Sequence, residues 1–239
     1  MYKKDLFSFK QFNISHANSS MKVGTDAVLL GSWVEVSGAK KILDIGTGCG
    51  IIALMLAQRS NARIDAIDID KGSVKEATSN FNNSPWPSRL HSHHISLQSY
   101  QIVAKTKYDL IVSNPPFFQN SLLPKKENLR LAKHNTTLTY TELFKASISL
   151  LSADGQLTII LPFDDSDNVK ALANTYGLHL QQQLSIFNTS NKPARRIILD
   201  FGLSIPIKVE LDQIVIRDLE ANFTAGYRQL TEAFHPDFV

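Results

Sequence analysis

Residues 41–59, KILDIGTGCGIIALMLAQR, contain the pattern that decides the fold. The apolar run that ends at Ile45 predicts a strand, the glycines at 46, 48 and 50 predict a tight turn, and the apolar run from Ile51 predicts a helix. Glycines after a strand let the backbone approach a ligand closely, at the edge where open α/β sheets bind ligands. A dinucleotide-binding fingerprint needs a third glycine at position 51, so Ile51 disfavours NAD.

The chain beyond this turn alternates between candidate strands and helices. Such alternation predicts an α/β, Rossmann-like fold, with helices on both faces of a mostly parallel, seven-stranded sheet. The predicted strands are 41–45, 62–68, 89–97, 108–113, 156–162, 178–188 and 194–203, the predicted helices are 51–59, 71–83, 139–151 and 164–177, and a last strand near 209–216 and a helix near 224–234 follow. The short connector 189–193 makes the two strands around it an antiparallel hairpin, because a parallel pair needs a long crossover.

Length and composition restrict the class of protein. A chain of 239 residues with 43% hydrophobic residues is expected to form one domain, 1–239. The net charge is +3. The N-terminal part of the chain is basic and the C-terminal part is acidic, which suggests that one face of the protein can approach polyanions. The single Cys49 excludes an internal disulfide, and without zinc-like His/Cys spacing we expect no metal. We find no secretory signal and no membrane-spanning apolar run, which favours the cytoplasm.

A second acidic residue ends the next predicted strand. Asp68 stands where a carboxylate can accept both hydroxyl hydrogens of a ribose, as in nucleotide-binding folds. Ile69 would then pack on an adenine ring. Asp70 follows on the same side of the chain, and we interpret it as the N-cap of the next helix.

The spacing D-x-G-x-G-x-G, from Asp44 to Gly50, resembles the first motif of class I S-adenosylmethionine-dependent methyltransferases. The resemblance implies that this loop wraps the methionine part of the cofactor and that Asp44 helps to hold its ammonium group. Relatives often carry an acid after the third strand that reads the adenine amine. This chain has Ser96 there, and a hydroxyl or a backbone carbonyl could accept that hydrogen bond.

The tetrapeptide Asn114-Pro115-Pro116-Phe117 ends the fourth strand and resembles the [DNS]-P-P-[YFW] motif of methyltransferases that act on amino groups. An aromatic amine is a poor nucleophile, because its lone pair is delocalised into the ring. The side-chain carbonyl of Asn114 and the backbone carbonyl of Pro115 can accept its two hydrogens and aim the nitrogen at the methyl group. The prolines fix the backbone, and Phe117 offers a face for base stacking. A lone N-P-P is usually a structural turn, but its place after the glycine motif favours catalysis.

A wider resemblance covers nearly the whole chain. The segments FKQF (9–12), MKVGTD (21–26), LLG (29–31) and SPW (84–86) look like those of the bacterial tRNA1(Val) (adenine-37-N6)-methyltransferases. The resemblance implies N6-methylation of adenine 37 in tRNA1(Val), with S-adenosylmethionine as cofactor and tRNA as partner. It also implies that an N-terminal segment, here 1–38, folds over the cofactor held by a catalytic core, here 39–239.

The same resemblance places Lys22, Thr25 and Asp26 at the cofactor pocket; a surface ion pair between Lys22 and Asp26 is the alternative. The expected cofactor-binding residues are Lys22, Thr25, Asp44, Gly46, Thr47, Gly48, Gly50, Asp68, Ile69, Ser96 and Asn114.

Two basic clusters are candidates for RNA contacts. One lies in the loop after the tetrapeptide and matches a basic stretch of the same family, and the other lies in the turn of the predicted hairpin. Such cations can hold phosphates and position a base, although a run of charges is usually a solvated face. The candidates are Lys125, Lys126, Arg130, Lys133, His134, Lys192, Arg195 and Arg196.

Other functions compete with this interpretation. A glutamine methyltransferase of release factors normally has Tyr in place of Phe117 and an extra N-terminal helical domain. A guanine-N2 rRNA enzyme and an adenine-N6 DNA enzyme are further alternatives. A catalytically silent cofactor-binding or RNA-binding protein is the non-enzymatic alternative, and the intact pair Asn114-Pro115 argues against it.

Overall fold

The computed structural model describes residues 6–17, 19, 23–115 and 138–236 of the chain. Within these residues the strands are β1 (Leu6–Ser8), β2 (Asn13–Ser15), β3 (Lys41–Ile45), β4 (Arg63–Asp68), β5 (Leu90–His94), β6 (Tyr108–Ser113), β7 (Leu151–Pro162), β8 (His179–Phe187), β9 (Arg196–Gly202) and β10 (Glu210–Val215). The helices are α1 (Thr25–Trp33), α2 (Ile51–Arg59), α3 (Lys71–Asn82), α4 (Leu97–Val103), α5 (Tyr140–Leu150), α6 (Ser166–Thr175) and α7 (Ala225–Thr231).

The main sheet of the described residues has eight strands in the order β10-β8-β9-β7-β6-β3-β4-β5. Strand β9 is antiparallel to both of its neighbours, and the other pairs are parallel. The predicted α/β architecture and the antiparallel pair β8–β9 are therefore confirmed. The sheet has one strand more than predicted, because the strand expected near 209–216 pairs in parallel with β8 at the edge.

Helices cover both faces of this sheet, and each face has its own apolar core. Alternating side chains of a strand point to opposite faces, so that Ile42 of β3 lies in one core and Leu43 in the other. The first core also contains side chains of α1, α2, α3, α7 and the N-terminal strands. The second contains side chains of α4, α5 and α6.

Three local features differ from the sequence prediction. The strand predicted to run to 97 ends at His94, and α4 follows because the side chain of Ser96 caps it. Strand β7 begins at Leu151, earlier than predicted, and its pairing with β6 shifts register between Tyr108 and Leu110. Helix α1, which precedes the first predicted strand, was not predicted.

Candidate active site

Parallel pairing brings three of the predicted site segments to one edge of the sheet. Strand β3 pairs with β4 on one side and with β6 on the other, so their carboxyl ends lie side by side. The glycine loop, defined here as residues 46–50, follows β3, while Asp68 ends β4 and Asn114 follows β6. The hydroxyl of Ser113 donates to the carbonyl of Ile45 over 2.9 Å, which joins the end of β6 to the start of the glycine loop.

The glycine loop adopts a conformation that requires glycine. The φ angles of Gly46, Gly48 and Gly50 are +73°, +55° and +86°, in the left-handed region. A Cβ at Gly50 would collide with the ring of Phe81 on α3, so helix and loop are packed closely. A Cβ at Gly46 would meet no atom within 4 Å, which leaves space beside this part of the loop. The loop is therefore packed against α3 at Gly50, and it has an open flank at Gly46.

Asp44 lies beneath the loop with an exposed fraction of 0%. Thr47 Oγ1 donates to its Oδ2 over 2.6 Å, while Oδ1 is buried and has no hydrogen-bond partner among the described residues. Burial raises the pKa of Asp44 to about 7, and the hydrogen bond from Thr47 acts in the opposite direction. A buried acceptor without a donor is costly, so this oxygen suits a ligand that carries N–H groups or positive charge.

Asp68 holds the loop on the neighbouring strand. Its Oδ2 accepts a hydrogen bond from the amide of Gly48 over 2.9 Å, and its Oδ1 accepts one from the amide of Asp70 over 2.9 Å. Asp70 accepts a hydrogen bond from the amide of Ser73 over 2.7 Å and begins α3, so the predicted N-cap is confirmed. Interactions with the side chain of Ser73, and then with its backbone amide, lower the pKa of Asp70.

Ile69 stands between these two acids with an exposed fraction of 52%. The ring of His94, at the end of β5, lies with Nε2 3.0 Å from the carbonyl of Ile69 and fixes this turn. Ser96 accepts a hydrogen bond from the amide of Ser99 and donates one to its hydroxyl, over 3.1 and 3.0 Å. The exposed Ile69 suits the expected contact with an adenine ring, whereas Ser96 already has two local partners.

Asn114 is 8% exposed, and its Oδ1 is buried without a hydrogen-bond partner among the described residues. Pro115 follows it and is also buried. The rest of the predicted catalytic tetrapeptide and the basic loop after it, namely Pro116, Phe117, Lys125, Lys126, Arg130, Lys133 and His134, lie outside the described residues, as does Lys22.

The start of α1 contacts the start of β9. Thr25 opens α1 and is exposed. Asp26 accepts a hydrogen bond from Arg196 Nε over 2.8 Å, in an ion pair whose side chains are 28% and 23% exposed, respectively. Arg196 was expected to contact RNA, but its guanidinium is thus engaged within the protein. The alternative pairing of Asp26 with Lys22 involves a residue outside the described ranges.

The turn between β8 and β9 also lies at the carboxyl edge of the sheet, because β8 ends there. Lys192 and Arg195 in this turn are both exposed. Two of the three cations predicted in this cluster are therefore free to face a polyanion at the same edge as Asn114.

The sequence prediction missed a polar contact on α3. Asn80 and Glu76 are buried, with exposed fractions of 4% and 5%, on the face of α3 that packs against the protein. Asn80 hydrogen-bonds to Ser15 and to the carbonyl of Cys49 in the glycine loop. The available signal was its spacing, since Asn80 follows Ala77 by three residues and therefore lies on the same face of the helix.

Two features are absent from the described residues. No group of three or more His, Cys, Asp or Glu side chains in this part of the chain is arranged to hold a metal ion. No helix in the described ranges has the length and apolar character needed to cross a membrane.

Comparison with known proteins agrees with this geometry. The family described as the methyltransferase small domain matches residues 14–177. A tRNA1(Val) (adenine(37)-N6)-methyltransferase of Edwardsiella ictaluri is 36% identical over 230 residues, which cover 96% of this chain and 93% of that protein. A protein of the same name from Trichodesmium erythraeum is 40% identical over 232 residues, with 96% and 97% covered.

Solved structures support the fold. The crystal structure of a predicted O-methyltransferase from Agrobacterium tumefaciens superposes with a TM-score of 0.67 at 16% identity, covering 87% of this chain and 96% of that one. This likeness confirms the class I methyltransferase fold. The chain therefore belongs to the methyltransferase small domain family and, within it, to the family of the tRNA1(Val) (adenine(37)-N6)-methyltransferases.

Proposed function

We propose that this protein transfers a methyl group from S-adenosylmethionine to the N6 amine of adenine 37 in tRNA1(Val). Its relatives of that name match 96% of the chain, so the proposal does not rest on one shared module. We treat residues 1–239 as one methyltransferase domain, which acts on tRNA in the cytoplasm.

The observation that carries the proposal is the position of Asn114. Its side-chain oxygen is buried, lacks a hydrogen-bond partner among the described residues and stands at the strand end next to the glycine loop. An acceptor held in this way can bind one hydrogen of the target amine. Because the acceptor is preorganised, it stabilises the transition state without reorganisation during the reaction.

The residues at this edge also fit the cofactor. The unpartnered Oδ1 of Asp44 suits the ammonium group of the methionine part, and the open flank of Gly46 leaves room for the chain that carries it. Asp68 ends the next strand and the exposed Ile69 follows it, where the ribose and the adenine would lie. When bound, the cofactor supplies an electrophilic methyl group on a sulfonium.

The protein itself then has two tasks in the reaction. Asn114 and the carbonyl of Pro115 orient the amine, so that its lone pair faces the methyl group. The nitrogen becomes acidic once it has formed the new bond, so its proton can leave without a strong base. The exposed Lys192 and Arg195, together with the cations predicted in the loop 117–137, would hold the phosphates of the tRNA.

A methylation assay tests this function. The protein is incubated with labelled S-adenosylmethionine and separate pools of tRNA, rRNA, DNA and release factor, and the digested products are identified. We expect N6-methyladenosine in tRNA, and loss of the label when tRNA1(Val) carries guanine at position 37. N5-methylglutamine, N2-methylguanine or N6-methyladenine in DNA as the main product would instead establish one of the alternative functions, and no label in any pool would exclude an active enzyme.

A further inference from the structure

An N-terminal hairpin, formed by β1, β2 and the turn between them (residues 6–15), rests on the helix that supports the glycine loop. The backbone of Ser15 exchanges two hydrogen bonds with the side chain of Asn80 on α3. The amide of Ser15 donates to Asn80 Oδ1 over 2.9 Å, and Asn80 Nδ2 donates to the carbonyl of Ser15 over 2.8 Å. The side-chain amide thus pairs with the hairpin as a neighbouring strand would.

The same amide group also holds the glycine loop. Asn80 Nδ2 donates its other hydrogen to the carbonyl of Cys49 over 2.8 Å. Asn80 is 4% exposed, so water has little access to these bonds. The next residue, Phe81, packs against Gly50. Two consecutive residues of α3 therefore fix the loop, and one of them fixes the hairpin as well.

Further contacts place the N-terminal residues against the loop and its helix. Ser15 Oγ donates to Glu76 Oε1 over 3.0 Å. The hydroxyl of Ser19 lies 3.4 Å from that of Ser73. A Cβ at Gly48 would lie 3.5 Å from the hydroxyl of Ser19. At Ser19, the chain that follows the hairpin therefore leaves little space beside Gly48 for a side chain.

We propose that Asn80 is a positioning residue of the cofactor pocket, which couples the docking of the N-terminal hairpin to the conformation of the glycine loop. The identity of the cofactor in this inference rests on the proposed function. A loop held in its binding conformation binds cofactor more tightly, and by linkage a bound cofactor stabilises the docked hairpin to the same extent. Asn80 acts through the loop and the hairpin and takes no part in the methyl transfer.

The substitution Asn80→Asp tests the coupling with almost no change in shape. A carboxylate can still accept from the amide of Ser15, but it places an oxygen against the carbonyls of Ser15 and Cys49 that were receiving hydrogens. Asn82→Asp on the same helix is the matched control, because Asn82 is exposed. Val169→Ala controls for loss of stability alone, since Val169 is buried in the core on the opposite face of the sheet.

Two measurements decide the proposal. Amide hydrogen exchange of the full-length protein, followed by mass spectrometry, should become faster in Asn80→Asp in peptides from both 6–17 and 46–50, and not in Asn82→Asp. Calorimetric titration with S-adenosylhomocysteine should show a dissociation constant that is about 10-fold higher or more in Asn80→Asp, as expected when buried hydrogen bonds are lost. Val169→Ala should lower the melting temperature and leave this constant unchanged.

The coupling would be disproved if exchange increased in only one of the two peptides, or if Val169→Ala raised the dissociation constant as much as Asn80→Asp. Wild-type protein that binds no S-adenosylhomocysteine would contradict the proposed function, and the exchange measurement would still decide whether Asn80 joins hairpin and loop.

Discussion

The carboxylate of Asp68 accepts the amide hydrogen of Gly48 over 2.9 Å, and this bond ties the end of β4 to the middle of the glycine loop. The residue expected to bind the cofactor ribose thus also shapes the loop expected to bind the methionine part. Loss of Asp68 should therefore affect both ends of the cofactor.

Asp68→Ala should weaken the binding of S-adenosylhomocysteine by about 1–3 kcal/mol, because buried hydrogen-bonding groups lose their partner. Asp70→Ala is the control: it removes an N-cap and should cost about 1 kcal/mol of stability without a change in affinity. Calorimetric titration and thermal unfolding of both variants separate the two effects. Equal affinities of a folded Asp68→Ala variant and the wild type would place the ribose contact elsewhere.

Asn114→Ala should lower kcat by on the order of 10²–10³, the loss seen when one preorganised hydrogen-bonding group is removed from an active site. The dissociation constants of cofactor and tRNA should change far less, because the acceptor acts chiefly in the transition state. Asn114→Asp should be milder, since a carboxylate still accepts. Single-turnover methylation of tRNA measures these rates, and full activity of Asn114→Ala would mean that the tetrapeptide is only a structural turn.

The exposed cations of the β8–β9 turn should contribute to tRNA binding, while Arg196 should contribute less. Replacing both Lys192 and Arg195 with Ala should weaken tRNA binding and flatten its salt dependence, since each lost phosphate contact removes about 1 from the slope. Arg196→Ala should instead lower the melting temperature, because it leaves Asp26 without its ion-pair partner. Filter binding across a salt series tests the effect on tRNA binding, and thermal unfolding tests the effect on stability. An unchanged slope in the double variant would exclude this turn from the interface.

Two buried carboxyl groups should make stability depend on pH. Burial raises the pKa of Asp44 and of Asp200 to about 7 in each case. A folded-state pKa above the unfolded value means that the stabilisation is complete below about pH 4 and is lost as the pH rises to about 7. Relative to Asp44→Asn, the wild type should therefore lose free energy of unfolding across this window, on the order of a few kcal/mol. Denaturant titrations at pH 4 and pH 8 measure this loss, with Asp154→Asn, at an exposed site, as the control substitution.

Most of the fold follows from patterns in the sequence. The predicted bounds of β3 and α2 are the observed ones, because an apolar strand, a run of glycines and an apolar helix follow each other directly in the sequence. Parallel strands then bring Asp68 and Asn114 to the glycine loop without further information. The candidate site was predictable for the same reason: its residues stand at strand ends.

Other features depend on tertiary contacts, which the hydrophobic periodicity of the sequence does not predict. Asp65 of β4 is buried because Tyr108, from the far side of β3, donates its hydroxyl to Asp65 Oδ2 over 2.8 Å. The polar Asn80 is buried for a similar reason, since its partners are backbone groups distant in sequence. The ion pair of Asp26 with Arg196 joins residues that no local pattern relates, so Arg196 was assigned to RNA on its charge alone.

The reactivity of the Cys49 thiol can report on motion of the glycine loop. The chain has one cysteine, it is 2% exposed in the glycine loop, and burial raises the pKa of its thiol to about 12. Thiol reagents react with the thiolate, so labelling of the native protein requires that the loop first open. The rate of disulfide exchange with a chromogenic reagent then reports how readily the loop opens, without any introduced group. A compound that stabilises the closed loop will slow this reaction.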